Sequence, residues 1–210
     1  MIDNKIVIKI INLMSYEISS KSEYLDNLDR EIGDGEHGSS MKRGFNAIKE
    51  NMSDFEGMTP GEIFMKVGEI LTFNIGGAAG PLYGTAFMEA GKIFKEKKEL
   101  NKEDLIEMIE CSLKGIKNRG KANLGDKTMI DTLEPALENL KLSYLKTKNW
   151  KISLNAMIDG AKKGMGSTAE MAALKGRSSY LGDRSKGVID PGAASMYILL
   201  KAIYDILIDL

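Results

Sequence analysis

Apolar residues recur at three- and four-residue steps along most of the chain, a spacing that places them on one face of a helix. No segment alternates apolar and polar residues for long enough to predict a strand. The helical spacing is found at residues 6–24, 63–73, 105–116, 130–142, 154–165 and 196–210. With the stretches between them, these segments predict an all-α chain of about eight antiparallel helices forming one domain over residues 1–210.

Residues that start helices stand at several of the breaks between these segments. Thr59-Pro60 and Asp190-Pro191 each place a capping side chain before a proline, which is favoured in the first helical turn, and Asn101 is a third cap. The helix that follows Pro191 is apolar nearly all round, and such a helix is usually central in its bundle. Trp150 also falls at a predicted helix start, where we expect it to be a structural anchor.

Four junctions between helices are unusually rich in glycine and charge: residues 29–40, 76–84, 119–131 and 175–192. In an antiparallel bundle every second junction lies at the same end, so segments far apart in sequence can meet there. Ligand sites of helical bundles are commonly built from facing elements in this way. The pattern therefore predicts one ligand pocket at one end of the bundle.

The composition limits the cellular compartment and the classes of ligand that we expect for the protein. Lys and Arg number 29 against 30 Asp and Glu, and no basic stripe indicates nucleic-acid binding. Cys111 is the single cysteine, which excludes an internal disulfide or a cysteine zinc cluster, and its helical surroundings favour a small buried thiol. No apolar run approaches the ~20 residues of a membrane span, and the N terminus has no basic region or cleavage site. We expect a soluble chain in the reducing cytoplasm.

The junction at residues 28–38 has the composition of a magnesium site. Asp29, Asp34 and Glu36 offer hard oxygen ligands, and the glycines between them let the backbone turn tightly. Where residues 34–36 are extended, the carboxylates of Asp34 and Glu36 point to the same side. Mg²⁺ takes one or two carboxylates and leaves its other positions to water and substrate phosphates.

The same junction leads into a helix whose start can bind phosphate. The segment His37-Gly-Ser-Ser40 opens this helix, and either Ser39 or Ser40 is a candidate cap. The free N–H groups of a helix start and the helix dipole together form an anion site. A solvated acidic turn followed by an ordinary helix cap explains the same residues equally well from spacing alone.

The remaining glycine-rich junctions are ambiguous when each is taken alone. Residues 76–84 allow a phosphate or an adenine ring to approach the backbone, but close helix packing also needs small residues, and no Walker A ending is present. Residues 119–131 and 175–184 supply lysine and arginine, whose planar guanidinium suits a phosphoryl group. Solvated surface loops have the same composition.

Five segments of the chain form an ordered series: LDREIGDGEHG, GGAAGPLYG, RGKANLGDKTMID, KGRSSYLGDR and DPGA. This series resembles the signature motifs of the DhaL family, the ADP-binding subunits of phosphotransferase-system-dependent dihydroxyacetone kinase. The resemblance runs from about residue 20 to the C terminus. It implies an all-α barrel of eight antiparallel helices that holds a nucleotide, ADP or ATP, and two Mg²⁺ ions at one end.

The resemblance also implies which residues form the site. The acids of the first motif would bind the metal ions, namely Asp29, Asp34 and Glu36. Nucleotide contacts would come from all five motifs: His37, Gly38, Ser39, Ser40, Ala78, Ala79, Gly120, Met129, Arg177, Asp190, Pro191 and Gly192. Phosphoryl transfer asks a protein mainly for positioning and charge stabilisation, so Arg177 is expected to be the catalytic side chain that clamps a phosphate.

The working cycle of the family implies two partner subunits. ADP acts as a tightly held coenzyme that a phosphohistidine partner, a DhaM-like subunit, phosphorylates in place. The resulting ATP passes its γ-phosphoryl group to dihydroxyacetone held by a sugar-binding, DhaK-like subunit. The sequence leaves a homodimer open.

Three positions depart from the family pattern. Glu36 stands where an aspartate is usual, Ala79 where a serine is usual, and Val188 where a histidine is usual. These departures motivate the alternatives of a non-catalytic ADP-loaded interaction or regulatory module and of a kinase subunit for a related short ketose. A metal-dependent phosphohydrolase is a more distant alternative.

Overall fold

The computed structural model describes residues 1–210 and confirms the all-α prediction. Its nine α-helices are α1 (Asn4–Ser20), α2 (Ser22–Ile32), α3 (His37–Glu50), α4 (Pro60–Asn74), α5 (Ala79–Lys92), α6 (Lys102–Gly120), α7 (Ile130–Thr147), α8 (Trp150–Ser167) and α9 (Pro191–Leu207). Three 3₁₀ helices span Met52–Phe55, Thr168–Glu170 and Arg177–Ser185. The only strand-like feature is an isolated bridge between Ile2 and Leu100.

Eight of the nine helices form a closed ring around one hydrophobic core. From α3 to α9, each helix packs against the next one in the chain, and α1 closes the ring by contacting both α3 and α9. The core between them contains 46 buried residues in a single cluster. The additional helix, α2, packs against α3, α9 and the 3₁₀ helix Arg177–Ser185. The predicted barrel of about eight helices is therefore confirmed, with α2 added to it.

The helical pattern at residues 6–24 contains two helices rather than the one that it predicted. The break falls at Lys21, whose backbone leaves the helical region with φ −106° and ψ 13°. Ser20 donates its hydroxyl to the carbonyl of Glu17 at 3.0 Å, a local bond by which serine competes with the helix ladder. The break separates α2 from α1 and lets α2 end at Ile32, beside the acidic junction.

The helix caps predicted at Thr59, Asn101 and Asp190 are confirmed. Thr59 and Asn101 each form a reciprocal capping box at the starts of α4 and α6. The Asp190 carboxylate accepts the N–H of Ala193 at 2.7 Å at the start of α9. A cap of this kind is typically worth about 1 kcal/mol, so these residues fix where the helices begin.

Two further expectations concern Trp150 and Cys111. Trp150 is buried at the start of α8 and meets the Tyr144 ring edge-on, with ring centroids 5.8 Å apart, as expected of an anchor. The Cys111 side chain is only half-buried, against the fully buried thiol that its helical surroundings favoured. Desolvation nevertheless raises the pKa of the thiol, which disfavours a reactive thiolate.

Helix α9 is apolar on most of its surface and packs against α1, α2, α3, α7 and α8. It is one member of the ring, and its first turn lies at the pocket described below. None of the helices has both the length and the apolar character that crossing a bilayer would require.

Candidate nucleotide site

The glycine-rich and charged junctions meet in one pocket of about 550 Å³. Its lining comes from the acidic junction and α3, from the glycine turn before α5, from the segment between α6 and α7, from the start of the 3₁₀ helix Arg177–Ser185, and from the start of α9. The volume lies in the range of roughly 300–1,000 Å³ that is usual for small-molecule sites. The prediction of one shared pocket is confirmed.

The pocket lining contains most of the site residues that were predicted from the sequence. Those in its lining are Asp29, Asp34, Glu36, His37, Ser40, Ala78, Ala79, Gly120, Met129, Arg177, Asp190, Pro191 and Gly192. Gly38 and Ser39 are not part of the lining, because both face α2. A Cβ at position 38 would lie 1.9 Å from the carbonyl oxygen of Ser22, so Gly38 permits close packing of α2 on α3.

The start of α3 differs from the predicted phosphate site. The helix begins at His37, and neither Ser39 nor Ser40 caps it. Asp29 Oδ2 accepts the N–H groups of Glu36 at 2.9 Å and His37 at 3.2 Å, while Asp26 accepts both the N–H and the hydroxyl of Ser39. Three amide groups at this helix start are therefore bonded to carboxylates of α2 and are not free for a phosphate.

A left-handed turn shapes the acidic junction. Gly35 has φ +75°, so residues 34–36 are not extended, and Asp34 and Glu36 do not form the paired ligands that an extended segment would give. Glu36 instead occupies the cap position of α3 with its side chain exposed. As a result, no group of three or more His, Cys, Asp or Glu side chains is placed to hold a metal ion. The predicted three-acid metal cluster is not preassembled.

Two of the acids nevertheless form a pair that suits a cation. The side chains of Asp29 and Asp34 adjoin one another, and the pKa of Asp29 is raised, chiefly by burial and then by its interaction with Asp34. Burial also acts to raise the pKa of Asp34, but the interaction with Asp29 and the positive charge of Arg177 outweigh it, and the pKa is lowered. Arg177 Nη1 lies 2.5 Å from Asp34 Oδ2.

This pair fits Mg²⁺ by its donor chemistry. Two adjacent carboxylates repel each other unless a proton or a cation is shared between them. In the folded chain the Arg177 guanidinium neutralises Asp34 of this pair. Because Mg²⁺ needs only one or two protein carboxylates, Asp29 and Asp34 would suffice as protein ligands without a third acid.

A buried lysine supports the other side of the pocket, and the sequence reasoning did not single it out. Lys127 is 1% exposed and has φ +61°. Its Nζ donates to the carbonyl oxygens of Thr168 at 2.5 Å and Val188 at 2.6 Å. In the sequence, this lysine resembles the solvated lysines of a glycine-rich loop. Its role is visible only in the fold, where distant segments bring the two carbonyl oxygens to it.

Asp190 lies near this lysine at the start of α9 and is almost completely buried. Burial raises the pKa of the Asp190 carboxyl to about 7, although the bond from the Ala193 N–H and the charge of Lys127 act to lower it. The pKa of Lys127 is lowered, mainly by desolvation, and Asp190 opposes that change. The pocket therefore has a carboxyl group that holds its proton close to neutral pH.

Arg43 is a second residue that the sequence reasoning missed. Its Nε donates to the carbonyl oxygen of Asn74 at 3.0 Å, and its Nη2 donates to the Ser40 hydroxyl at 3.2 Å. Arg43 thus connects α3 to the end of α4, next to the glycine turn that precedes α5. Its position three residues after Ser40, on the same face of α3, was the only available signal.

The fold and the site define a class of protein: an all-α barrel with a polar pocket at the helix junctions, where a carboxylate pair and several cationic side chains converge. Comparison with known proteins specifies the family. The family model described as "DAK2 domain" matches residues 31–205. The chain belongs to the DhaL family of dihydroxyacetone kinase subunits.

Individual relatives give the extent of the similarity. The chain is 40% identical over 183 residues to the ADP-binding subunit DhaL of the PEP-dependent dihydroxyacetone kinase of Escherichia coli. This alignment covers 87% of each of the two chains. It is 37% identical over 192 residues to the corresponding subunit of the PTS-dependent kinase of Lactococcus lactis, with 90% and 91% covered.

A solved structure also shares the fold. The dihydroxyacetone kinase of C. freundii in complex with AMP-PNP and Mg²⁺ superposes with a TM-score of 0.72 at 29% identity. The match covers 95% of this chain but only 33% of that kinase, so this chain corresponds to one part of the larger enzyme.

Proposed function

We propose that the chain binds ADP with Mg²⁺ in this pocket and serves as the nucleotide-holding subunit of a dihydroxyacetone kinase. The observation that carries the proposal is the single pocket of about 550 Å³, whose lining includes residues from all five motif segments. The names of the E. coli and L. lactis relatives support ADP as the nucleotide. The AMP-PNP and Mg²⁺ of the C. freundii complex support a metal–nucleotide ligand.

Asp29 and Asp34 are the residues that would hold the cation. Magnesium supplies positive charge between the carboxylates and the phosphate oxygens when it is bound. The Asp29 carboxylate is oriented for this role because it is anchored by the N–H groups of Glu36 and His37. A second ion, and any part for Glu36 through water, belong to the same proposal.

Arg177 is the side chain proposed to contact the phosphoryl group. It is largely exposed at 71%, and it pairs with Asp34, so it can exchange this partner for a phosphate at little cost. Its planar guanidinium can donate two parallel hydrogen bonds to phosphate oxygens. Arg177 would therefore stabilise the charge of the transferring group.

The start of α5 replaces the start of α3 as the proposed amide cradle for phosphate. α5 begins at Ala79 and has no side-chain cap, so its first N–H groups are not claimed by a carboxylate. Ala78 and Ala79 both line the pocket. A helix start with free N–H groups favours an anion through these donors and the helix dipole. Ala79 in place of a serine leaves this backbone contribution intact.

The phosphoryl donor and the acceptor are proposed to lie on partner proteins. Nε2 of His37 is engaged by Ser195, so this side chain is assigned a place at the pocket edge and not the role of phosphoryl donor. The proposal therefore assigns the donor to a DhaM-like phosphohistidine subunit and the acceptor dihydroxyacetone to a DhaK-like subunit. A homodimer and a cytoplasmic location stay predictions.

Nucleotide binding can be tested with one pair of variants. Asp34→Asn removes the charge that would face the cation. Asp183→Asn is the control, because Asp183 is an exposed acid in the same 3₁₀ helix as Arg177 and pairs with Lys186. Calorimetric titration of ADP with Mg²⁺ should show tight binding by the wild type and by Asp183→Asn. The Asp34→Asn variant should bind ADP about 10- to 100-fold more weakly, which is the loss typical of perturbed metal sites. Equal affinities would refute the assignment.

Phosphoryl transfer is tested by adding the partners. The chain is mixed with ADP, Mg²⁺, a phosphorylated donor subunit and a sugar-binding subunit, and formation of dihydroxyacetone phosphate is followed. Product formation that depends on the chain supports the kinase role. Tight ADP binding without product would favour the non-catalytic module instead, and product from another short ketose alone would identify a different acceptor.

A further inference from the structure

A buried chain of hydrogen bonds links three helices directly behind the pocket. The Ser195 hydroxyl of α9 lies 2.7 Å from the Tyr83 hydroxyl of α5 and 2.8 Å from Nε2 of His37 at the start of α3. It also lies 3.1 Å from the carbonyl oxygen of Gly192. Tyr83 and Ser195 are both 0% exposed, so water does not compete for the contact between their hydroxyls.

Counting protons gives the direction of each bond. A serine hydroxyl has one proton to donate and can accept two bonds. If Ser195 donates to Gly192, it can accept from both Tyr83 and the Nε2–H of His37, and all three contacts are satisfied. If Ser195 instead donated to Nε2, its contact with the Gly192 carbonyl would have no proton. Tyr83 also lies 3.2 Å from that carbonyl, but its contact with Ser195 is shorter.

We propose that Tyr83 and Ser195 are positioning residues that hold the imidazole of His37 in its neutral Nε2–H tautomer at the edge of the nucleotide pocket. The tautomer is set by the bond that the other ring nitrogen makes. Nδ1 is then the remaining polar atom of the ring and carries a lone pair. It accepts a hydrogen bond from a hydroxyl group or a water molecule and cannot donate to a phosphate oxygen.

The chain also holds three pocket segments in register. His37, Ala79 and Gly192 line the pocket from three different helices, and the Tyr83–Ser195 pair connects these helices one layer behind the lining. Removing the Ser195 hydroxyl would free the imidazole to change its tautomer. It would also leave the Tyr83 hydroxyl with only its longer contact to Gly192. The inference deepens the proposed nucleotide function. Its expected effect on nucleotide affinity rests on that proposed function.

A direct measurement of the tautomer is available because His37 is the only histidine of the chain. Labelling with ¹⁵N-histidine gives one imidazole spin system, whose two nitrogen shifts identify the protonated nitrogen. The ligand-free wild type at pH 7 should show a single Nε2–H tautomer. Ser195→Ala should show a mixture of tautomers. Ser153→Ala is the matched control, since Ser153 is equally buried and bonds only its own helix, and it should leave the spectrum unchanged.

Affinity provides the second readout. Ser195→Ala should bind ADP with Mg²⁺ about three- to tenfold more weakly, the effect of about one lost hydrogen bond, and Ser153→Ala should bind like the wild type. Tyr83→Phe removes the donor that fixes the orientation of the Ser195 hydroxyl, so it should show a smaller fraction of the second tautomer and a smaller loss of affinity than Ser195→Ala. It serves as the test variant if Ser195→Ala does not fold.

An Nδ1–H tautomer in the wild type would overturn the inference. So would a folded Ser195→Ala variant that keeps both the wild-type spectrum and the wild-type affinity. If the wild type itself binds no ADP, the proposed function fails, whereas the tautomer measured without ligand still decides the positioning role.

Discussion

The buried carboxyl of Asp190 gives the chain a pH dependence of stability that can be worked out from its surroundings. Asp190 is 9% exposed, and burial raises its pKa from 3.8 to about 7. Between these two values the folded chain keeps a proton that the unfolded chain releases. The free energy of unfolding therefore falls as the pH rises through this window and levels off above about pH 7. At 1.36 kcal/mol for each pKa unit, the contribution lost is about 4 kcal/mol.

Asp190→Asn isolates this contribution. The amide oxygen can still accept the Ala193 N–H, and asparagine caps a helix about as well as aspartate, but it cannot ionise. Near pH 4 the variant and the wild type should be similarly stable, because both are neutral at this position. At pH 8 the variant should be more stable by up to about 4 kcal/mol. Urea denaturation of nucleotide- and metal-free protein at both pH values measures the difference.

Asp3→Asn is the matched control. Asp3 caps α1 through the N–H of Ile6 at 2.9 Å, but it is only half-buried, so water solvates either form of the side chain. Its substitution should change stability by less than about 1 kcal/mol at either pH. If Asp190→Asn shifts stability by the same amount at pH 4 and pH 8, the carboxyl does not hold its proton and the reasoning is refuted.

Two further predictions concern Lys127, which lines the pocket, and Gly38, which lies between α2 and α3 next to it. Lys127→Met leaves two buried carbonyls without a donor and should cost about 2–4 kcal/mol in urea denaturation. Lys121→Met, at an exposed lysine that is also left-handed with φ +49°, should have little effect, and equal losses would refute the role of the buried ammonium. Gly38→Ala forces α2 and α3 apart and should cost about 1–3 kcal/mol. Gly166→Ala, where a Cβ meets nothing, should instead be neutral or stabilising.

The helices and their starts could be predicted because their causes are local. The spacing of apolar residues defines α4, α6, α7, α8 and α9, and a capping side chain acts within three residues of itself. Thr59, Asn101 and Asp190 were therefore correct from the sequence alone. The break at Lys21 was missed because the apolar pattern continues across it, and only the competing hydroxyl of Ser20 marks it.

The inside of the site could not be predicted in the same way, because its contacts join residues far apart in the chain. Lys127 is buried only because Thr168 and Val188 bring carbonyls to it from the segments before and after the fourth motif. Ser195 lies on an apolar helix, where a serine resembles a small packing residue. Its role depends on Tyr83 and His37 arriving from two other helices.

The contrast between Asp29 and Glu36 explains why the acidic junction accepts an irregular third acid. Asp29 spans the loop and holds the N–H groups of both Glu36 and His37 through one oxygen, so its length is fixed by the start of α3. The side chain of Glu36 is exposed and has no fixed partner, so an additional methylene displaces nothing. The fold therefore constrains the length of the first acid and leaves the third free, and a glutamate at position 36 is compatible with the carboxylate pair that would hold the cation.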